Sequence, residues 1–209
     1  MFNICSKCGQ YHADKEIDTA GPYAVCPECG ARHPFRMLPL LLICGPSGGG
    51  KSAVLRALLG KIENAVLLEG DLLWRTEFNQ PDDNYRDFYE TWLRLAKNIN
   101  QSGRPVALFN AGAIPPNVEP CVERRYFSTT HYLALVCDDA VLKRRLEARP
   151  SWRASGDRAF IESQIKFNQW LMANAAVTEP AIDLLDTTTD GEAETTAAAA
   201  RWLQAHSSP

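Results

Sequence analysis

Short apolar runs alternate with longer amphipathic stretches along most of the chain after residue 37. Apolar runs bounded by turn residues are typical of buried strands, and apolar residues three and four apart are typical of helices. The pattern predicts strands at 39–44, 65–69, 105–109, 131–137 and 182–186. It predicts helices at 50–60, 71–77, 84–101, 138–148, 157–174 and 190–205. This alternation indicates an α/β fold, with a parallel sheet covered by helices on both faces.

Two similar cysteine pairs precede this region. Cys5 and Cys8 are followed by a glycine, as are Cys26 and Cys29, and 17 residues separate the two pairs. That spacing is typical of a four-cysteine zinc site, and a glycine suits the tight turn, or knuckle, after each pair. We therefore expect these four cysteines to bind one Zn²⁺. Since four thiolates complete a tetrahedron, His12 and His33 are expected to be non-ligands.

Residues 1–36 are thus predicted to form a small zinc ribbon, and residues 37–209 a separate α/β domain. A unit of this size buries too little apolar surface to fold alone, and a bound metal would supply the missing stability. The alternative is a set of free or redox-active thiols.

A glycine-rich stretch between the first predicted strand and the first predicted helix matches the pattern G-x-x-x-x-G-K-[ST]. It consists of Gly45, Pro46, Ser47, Gly48, Gly49, Gly50, Lys51 and Ser52, and Ala53 continues it into the helix. In this pattern the backbone N–H groups surround phosphate oxygens, with the helix N-terminus facing them. We expect Lys51 to reach the β- and γ-phosphates of ATP and Ser52 to bind Mg²⁺. The alternative is a glycine-rich turn without a ligand.

Asp71 directly follows the second predicted strand, within Glu69-Gly70-Asp71. Sites in open α/β sheets lie beyond the carboxyl ends of the strands, so we expect Asp71 to face the phosphate-binding loop. A carboxylate at this position accepts a proton from an attacking hydroxyl or helps to hold Mg²⁺. The alternative role is capping of the next helix.

Several arginines follow the fourth predicted strand. Arg145 and Arg149 are four residues apart on one face of the predicted helix, and Arg153 lies in the loop beyond it. Arginines above a phosphate-binding loop neutralise the charge of a transferring phosphoryl group. We expect this role for Arg149 and Arg153, whereas Arg144 is expected to be solvated.

The loop, Gly70-Asp71-Leu72-Leu73 and Arg145-Leu146-x-x-Arg149 resemble the small P-loop kinases. That family includes adenylate-type nucleoside monophosphate kinases, gluconate and shikimate kinases, and chloramphenicol phosphotransferase. The resemblance implies a P-loop NTPase three-layer sandwich with a five-stranded parallel sheet in the order 2-3-1-4-5. It also implies a lid at about 149–157 that carries Arg149 and Arg153, and nucleotide binding by Arg145. Arg75 lies near the arginine that grips the acceptor phosphate in adenylate kinases.

Other polar residues leave two interpretations open. The third predicted strand ends in Asn110, where many P-loop proteins carry a carboxylate that supports Mg²⁺. Gln164 and Asn168 share a side of a predicted helix, where they either reach a substrate or satisfy backbone groups. Tyr89 and Trp92, near the expected acceptor site, are interpreted as core.

Net charge and hydropathy argue against a strongly basic nucleic-acid-binding protein and against a membrane-spanning one. The formal net charge is −3, so no global basic field favours nucleic acid. No apolar run approaches the ~20 residues that span a membrane, and the first residues lack a signal-peptide pattern. Four paired cysteines in such a chain favour metal over disulfides, which leads us to expect a cytoplasmic protein.

These patterns predict an ATP-dependent phosphotransferase with ATP, Mg²⁺ and Zn²⁺ as cofactors. The favoured partner is a small-molecule acceptor, a nucleoside or nucleotide first and a sugar acid or other hydroxyl compound second. Asp71 and Arg75 are the predicted acceptor-binding residues. One alternative is a kinase directed to nucleic acid through the ribbon, which the acidic charge balance disfavours. The other is a non-enzymatic ATP-binding module.

Overall fold

The computed structural model describes residues 3–153 and 155–207. Five residues of the predicted units lie outside the described residues: Met1, Phe2, Ala154 of the predicted lid, Ser208 and Pro209.

The first part of the chain forms a small antiparallel sheet. Its strands are β1 (Glu16–Asp18), β2 (Tyr23–Val25) and β3 (Arg32–Pro34), in the order β1-β2-β3. Both cysteine pairs lie in turns beside this sheet, where Gly9 N donates to Cys5 O and Gly30 N donates to Cys26 O, both at 2.9 Å. Gly9 and Gly30 have φ values of 78° and 67°. The two knuckles therefore share one geometry, and each needs the left-handed conformation that glycine adopts without strain.

The rest of the chain forms a five-stranded parallel sheet. Its strands are β4 (Leu40–Cys44), β5 (Val66–Glu69), β6 (Val106–Phe109), β7 (Thr130–Val136) and β8 (Ile182–Asp186). They lie in the order β5-β6-β4-β7-β8, which is 2-3-1-4-5 when counted from β4. The predicted α/β fold class and strand order are confirmed.

In the described part of the chain, six α-helices accompany these strands. They are α1 (Lys51–Leu58), α2 (Arg86–Ile99), α3 (Pro115–Val118), α4 (Asp139–Glu147), α5 (Arg158–Asn174) and α6 (Glu192–His206). Among the described residues, no helix has the length and apolar character that crossing a bilayer requires.

The core has one layer on each face of the large sheet. Leu40 and Leu42 of β4 face a cluster that contains Trp92 of α2 and Leu171 of α5. The alternate residues of β4 face a second cluster, built from α1 and α6. Every residue of β4 is buried because both faces are covered. This arrangement explains why the strand is an unbroken apolar run rather than an alternating one.

The region after β5 differs from its predicted helix at 71–77. Two 3₁₀ helices, Gly70–Leu73 and Thr76–Phe78, occupy it, and the two residues between them, Trp74 and Arg75, are extended. The indole of Trp74 packs against Phe88 of α2 at a ring-centroid distance of 5.3 Å. Packing against α2 therefore interrupts the helix that local preference favoured.

The segment between β6 and β7 holds structure that the periodicity did not reveal. It contains α3 and a 3₁₀ helix, Val122–Tyr126, both too short to repeat an apolar pattern. Tyr126 packs edge-on against Phe35 at 5.7 Å and donates its hydroxyl proton to Ala13 O at 3.0 Å. This segment therefore provides the surface on which the first 36 residues dock.

Candidate functional site

The loop after β4 needs glycine at two close approaches. Gly45 has φ 129°, and a Cβ there would lie 2.4 Å from Leu135 O of β7. Gly48 has φ 91°, and a Cβ there would lie 2.9 Å from Leu142 Cδ1 of α4. A side chain at either position would push the loop away from the structures that support it.

The N-terminus of α1 faces the same cavity. Gly50 occupies the N-cap position in a left-handed conformation, and no side chain caps the helix. The first N–H groups of a helix have no acceptor within it, and the helix dipole adds partial positive charge at this end. The geometry of the loop and α1 fits the phosphate groups of a nucleotide.

Lys51 is the cation closest to this loop. Its ammonium donates to Gly45 O at 2.6 Å and Pro46 O at 3.0 Å. Burial lowers the pKa of Lys51 to about 8, and the positive charge of Arg149 adds to that shift, while Cys44 and Asp71 oppose it. Lys51 is therefore a cation whose charge a bound polyphosphate would stabilise.

Two arginines that follow α4 share a cavity with Lys51. Arg149, Trp152 and Arg153 line the cavity of about 590 Å³ that also contains the phosphate-binding loop. Burial lowers the pKa of Arg149, and the charge of Arg153 lowers it further. The positive side chains repel one another, and an anion bound between them would reduce that repulsion.

Arg145 lines the cavity against Thr187, the residue that follows β8. Its guanidinium donates to Thr187 Oγ1 at 2.9 Å and to Thr187 O at 2.6 Å. Thr187 is buried and also bonds to Val136 O of β7. The two contacts fix the Arg145 plane at the cavity wall, where a nucleotide base would have a flat cationic surface.

Asp71 lines the cavity from the β5 side, close enough for its charge to raise the pKa of Lys51. It lies inside the 3₁₀ helix Gly70–Leu73, whose N-cap is Glu69, and no side chain caps that helix. The capping interpretation of Asp71 therefore has no support in the structure. An exposed carboxylate opposite the phosphate-binding loop is available to an acceptor hydroxyl.

Asn110 lines the same cavity as Asp71 and lies beside Gly70 with a fixed orientation. Its Oδ1 accepts from Tyr89 OH at 3.0 Å and Gly112 N at 3.1 Å. A backbone N–H only donates, so the atom facing Gly112 must be the oxygen, and the amide nitrogen turns toward Gly70. A Cβ at Gly70 would lie 2.5 Å from that nitrogen, so the glycine is needed for the close approach.

The two candidate residues on α5 have different surroundings. Gln164 Oε1 accepts from Ser47 N at 2.8 Å, which ties α5 to the phosphate-binding loop. Asn168 is fully buried and bonds to both the N–H and the carbonyl of Cys137. Asn168 therefore satisfies backbone groups, while Gln164 touches the site.

Three arginines between β5 and the end of α2, Arg75, Arg86 and Arg94, are candidates to hold an acceptor phosphate, and none of them lines the cavity. The Arg75 guanidinium sits over the Phe78 ring at 4.9 Å. Arg94 donates to Glu123 at 2.9 Å on the side of α2 that faces the first 36 residues. The assignment of Arg75 to the acceptor stays a prediction.

The four paired cysteines form a second candidate site. Their sulfur atoms all lie within 4.8 Å of one another, with Cys5–Cys29 at 3.6 Å and Cys8–Cys26 at 3.7 Å. A tetrahedral zinc site with Zn–S distances of about 2.3 Å has S–S edges of about 3.8 Å. The four thiols therefore fit Zn²⁺ and are too far apart for disulfides.

The surroundings of this cluster also suit a metal. The pKa of Cys5 is lowered to about 5, chiefly by a hydrogen bond from the Cys8 backbone, although burial opposes the shift. His33 Nε2 lies 3.3 Å from Cys5 Sγ, and His12 faces Glu28 and Asp14 instead. His33 contacts a sulfur from outside the cluster.

Some lining residues gave no signal in the sequence. Glu69, Trp152, Thr187, Asp190, Glu192 and Thr195 line the cavity with the predicted residues. Strand ends and helix starts on one edge of the sheet bring them together. Thr187 is the exception, because it directly follows β8 and sites lie beyond the carboxyl ends of strands.

Comparison with known proteins agrees with this geometry. Residues 40–169 match a family model described as an AAA domain. No curated protein matches the sequence.

Solved structures share the fold at low sequence identity. A sugar kinase from Janibacter sp. HTCC2649 aligns with a TM-score of 0.56 and 15% identity, covering 83% of this chain and all of that one. A gluconokinase from Sinorhizobium meliloti 1021 aligns with a TM-score of 0.54 and 19% identity, covering 83% of this chain and 99% of that one. The predicted resemblance to small P-loop kinases is confirmed at the level of fold.

The cysteine cluster predicts one Zn²⁺ per chain, bound by four sulfurs at about 2.3 Å. Cys8→Ser should lose the metal and unfold the ribbon, while the α/β domain stays folded on its own core. Metal analysis measures the number of Zn²⁺ ions per chain, and X-ray absorption measures the zinc–sulfur distances. Cys121→Ser, at a buried cysteine outside the cluster, is the matched control and should keep the metal. Disulfides joining the four cysteines in a metal-free protein would contradict the assignment.

The lowered pKa of Lys51 predicts that ATP affinity depends on pH. As pH rises through about 8, Lys51 in the free protein loses its proton. Because bound phosphates favour the ammonium, the dissociation constant should then rise by up to about tenfold per pH unit. Calorimetric titration from neutral to alkaline pH measures this, and Lys51→Ala should bind more weakly without the alkaline increase. An unchanged wild-type affinity across this range would show that Lys51 does not contact the phosphates.

Proposed function

The chain belongs to the AAA-domain family, and on that premise we propose that it transfers the γ-phosphoryl group of ATP to a hydroxyl group of a small molecule. The observation that carries the proposal is a single cavity in which the phosphate-binding loop, Lys51, Arg149, Arg153 and Asp71 meet. The family and the kinase fold support a phosphotransferase.

Different residues around the cavity have different roles in this reaction. The backbone of the loop and the N-terminus of α1 bind the phosphates, and Lys51 adds a fixed cation beside them. Bound MgATP supplies the phosphoryl group and a divalent charge, with the Ser52 hydroxyl as the protein ligand of the metal. Arg149 and Arg153 stabilise the charge that spreads over the equatorial oxygens during transfer.

Asp71 is proposed as the base on the acceptor side. A hydroxyl must lose a proton as its oxygen attacks phosphorus, and a carboxylate facing the phosphates is placed to accept it. Asn110 adds a donor from the neighbouring strand end, since its oxygen is occupied by Tyr89 and Gly112. The pair offers a hydroxyl compound one acceptor and one donor.

The surroundings of the arginines favour a hydroxyl over a phosphate acceptor. A nucleoside monophosphate is mostly dianionic at neutral pH and needs a cation to hold it. Arg94 pairs with Glu123 and Arg75 covers Phe78, and neither lines the cavity. A nucleoside still qualifies through its sugar hydroxyls.

A sugar or sugar acid is the second candidate within the hydroxyl class. Two structures of the same fold are described as a sugar kinase and a gluconokinase. These compounds are therefore the first to test with labelled ATP, alongside nucleosides and nucleoside monophosphates.

Removing the charge of Asp71 tests the base. Asp71→Asn keeps the shape of the side chain, and kcat with a hydroxyl acceptor should fall by about 10²–10⁴-fold. ATP affinity should persist, and the Mg²⁺ dependence measured alongside should be unchanged. Asp82→Asn, in the exposed 3₁₀ helix Pro81–Asp83 outside the cavity lining, is the matched control. A variant of Asp71 with full kcat would exclude it as the base.

The two arginines should act on turnover rather than on folding. Arg149→Ala and Arg153→Ala should each lower kcat by about 10–10³-fold if they contact the transferring group. Thermal stability should change little, because charges near solvent contribute little to folding. Arg144→Ala, on the exposed side of α4, controls for loss of a positive charge. Full turnover in both variants would show that Arg149 and Arg153 are solvated and do not contact the transferring group.

A further inference from the structure

Helix α2 presents two separate polar stripes. Tyr89 and Trp92, three residues apart, face the end of β5 and β6, whereas Glu90, Arg94 and Lys97 face the 3₁₀ helix Val122–Tyr126. Residues three, four and seven apart share a face of a helix, so these contacts divide α2 into two sides. One side serves the candidate active site, and the other faces the first 36 residues.

The contacts toward the site fix the acceptor side of the cavity. Trp92 Nε1 donates to Gly70 O at 3.0 Å, and Gly70 precedes Asp71. Tyr89 OH donates to Asn110 Oδ1 at 3.0 Å. Both aromatic rings are at most 2% exposed. Any shift of α2 would therefore move the backbone before Asp71 and the amide of Asn110.

The contacts toward the ribbon form a buried charged cluster. Lys97 Nζ donates to Glu123 and to Asn3 Oδ1, and Asn3 Nδ2 donates to Glu123 Oε1 at 2.9 Å. Glu123 is fully buried, Lys97 is 1% exposed and Asn3 is 5% exposed. A buried charge that loses a partner destabilises strongly, since neither water nor another group replaces the lost contact.

Lys15 makes the cluster depend further on the position of the ribbon. It is fully buried, and within residues 3–153 and 155–207 its ammonium has no hydrogen-bond acceptor. Burial lowers the pKa of Lys97, Glu123 opposes that shift, and the positive charges of Arg94 and Lys15 add to it. Glu123 thus pairs with both Arg94 and Lys97, and Lys15 adds a third positive charge to the same region.

The metal site determines where Asn3 lies. Asn3 is two residues from Cys5, and its carbonyl accepts from His12 N at 2.7 Å across the first knuckle. Cys5 N bonds to Gln10 O at 2.9 Å in the same turn. A metal that binds the four sulfurs closes this turn and holds Asn3 against α2.

We propose that the zinc ribbon stabilises the acceptor side of the active site through α2. Zinc orders the first knuckle, Asn3 completes the charged cluster on one side of α2, and Tyr89 and Trp92 on the other side hold Asn110 and the turn before Asp71. The phosphate-binding loop rests on β7 and α4, and neither of these elements belongs to this path. Glu123 and Lys97 are positioning residues here, and the inference holds whichever acceptor is used.

Hydrogen exchange on the full chain tests the proposal without any acceptor. Removing zinc with a zinc-selective chelator should speed exchange of 86–99 and 70–73 by about 10–30-fold, from the loss of about two hydrogen bonds. Residues 45–58 and the affinity for ADP should not change. Equal loss of protection at 45–58 would mean global unfolding, and no change at 86–99 would mean an independent ribbon. Either result overturns the proposal.

A variant that retains zinc tests the contacts of Asn3 separately from metal binding. Asn3→Ala keeps all four cysteines and the Lys97–Glu123 pair, so the protein should fold and retain zinc. It should reproduce the faster exchange at 86–99 and 70–73. Asn64→Ala, at an exposed asparagine on the loop before β5, is the matched control and should leave exchange unchanged. Wild-type exchange in Asn3→Ala, with zinc retained, would remove Asn3 from the path and refute the proposal.

Discussion

The carboxyl edge of the parallel sheet is the constraint on which the site depends. Parallel strands all end at the same edge, so the residues that follow β4, β5 and β6 meet there whatever their distance in sequence. Gly45, Asp71 and Asn110 are brought together in this way, with Asn110 N bonded to Ile43 O at 3.1 Å and Gly45 N to Ala111 O at 3.3 Å. The buried strands fix these positions because both faces of the sheet are covered.

The backbone conformations and positive charges at this edge suit ligand binding. Gly45 and Gly48 hold conformations that other residues rarely adopt, and Lys51, Arg149 and Arg153 crowd into one cavity. Burial and the neighbouring positive charges lower the pKa values of Lys51 and Arg149, so their charged forms are disfavoured when no ligand is bound. An anionic ligand reverses the sign of these interactions, which explains why the arrangement suits a nucleotide rather than a purely structural role.

Much of the fold and of the nucleotide side was accessible from the sequence. Strand β4 is an unbroken apolar run because it is buried on both faces, and the glycine pattern after it has one known physical use. The cysteine spacing likewise predicted that the four sulfurs lie together, and their positions confirm it. In each case a local pattern contains the information that decides the structure.

The acceptor side was less accessible because long-range contacts determine it. Trp74 and Arg75 are extended since the indole packs on α2, which local preference does not reveal. Asn3, Lys97 and Glu123 are up to 120 residues apart in sequence, and a lysine on an amphipathic helix is ordinarily exposed. Packing of α2 on the 3₁₀ helix Val122–Tyr126 pairs Lys97 with Glu123, and docking of the ribbon brings Asn3 to that pair.

The fate of the labelled phosphate of ATP tests the central claim most directly. The protein is incubated with Mg²⁺, γ-labelled ATP and sugars, sugar acids, nucleosides and nucleoside monophosphates in turn, and the product bond is identified by phosphorus NMR. The account predicts a phosphate monoester on a carbon-bound oxygen, formed only with an acceptor that carries a free hydroxyl. Label that appears only in inorganic phosphate, or in the anhydride of a nucleoside diphosphate, would contradict it.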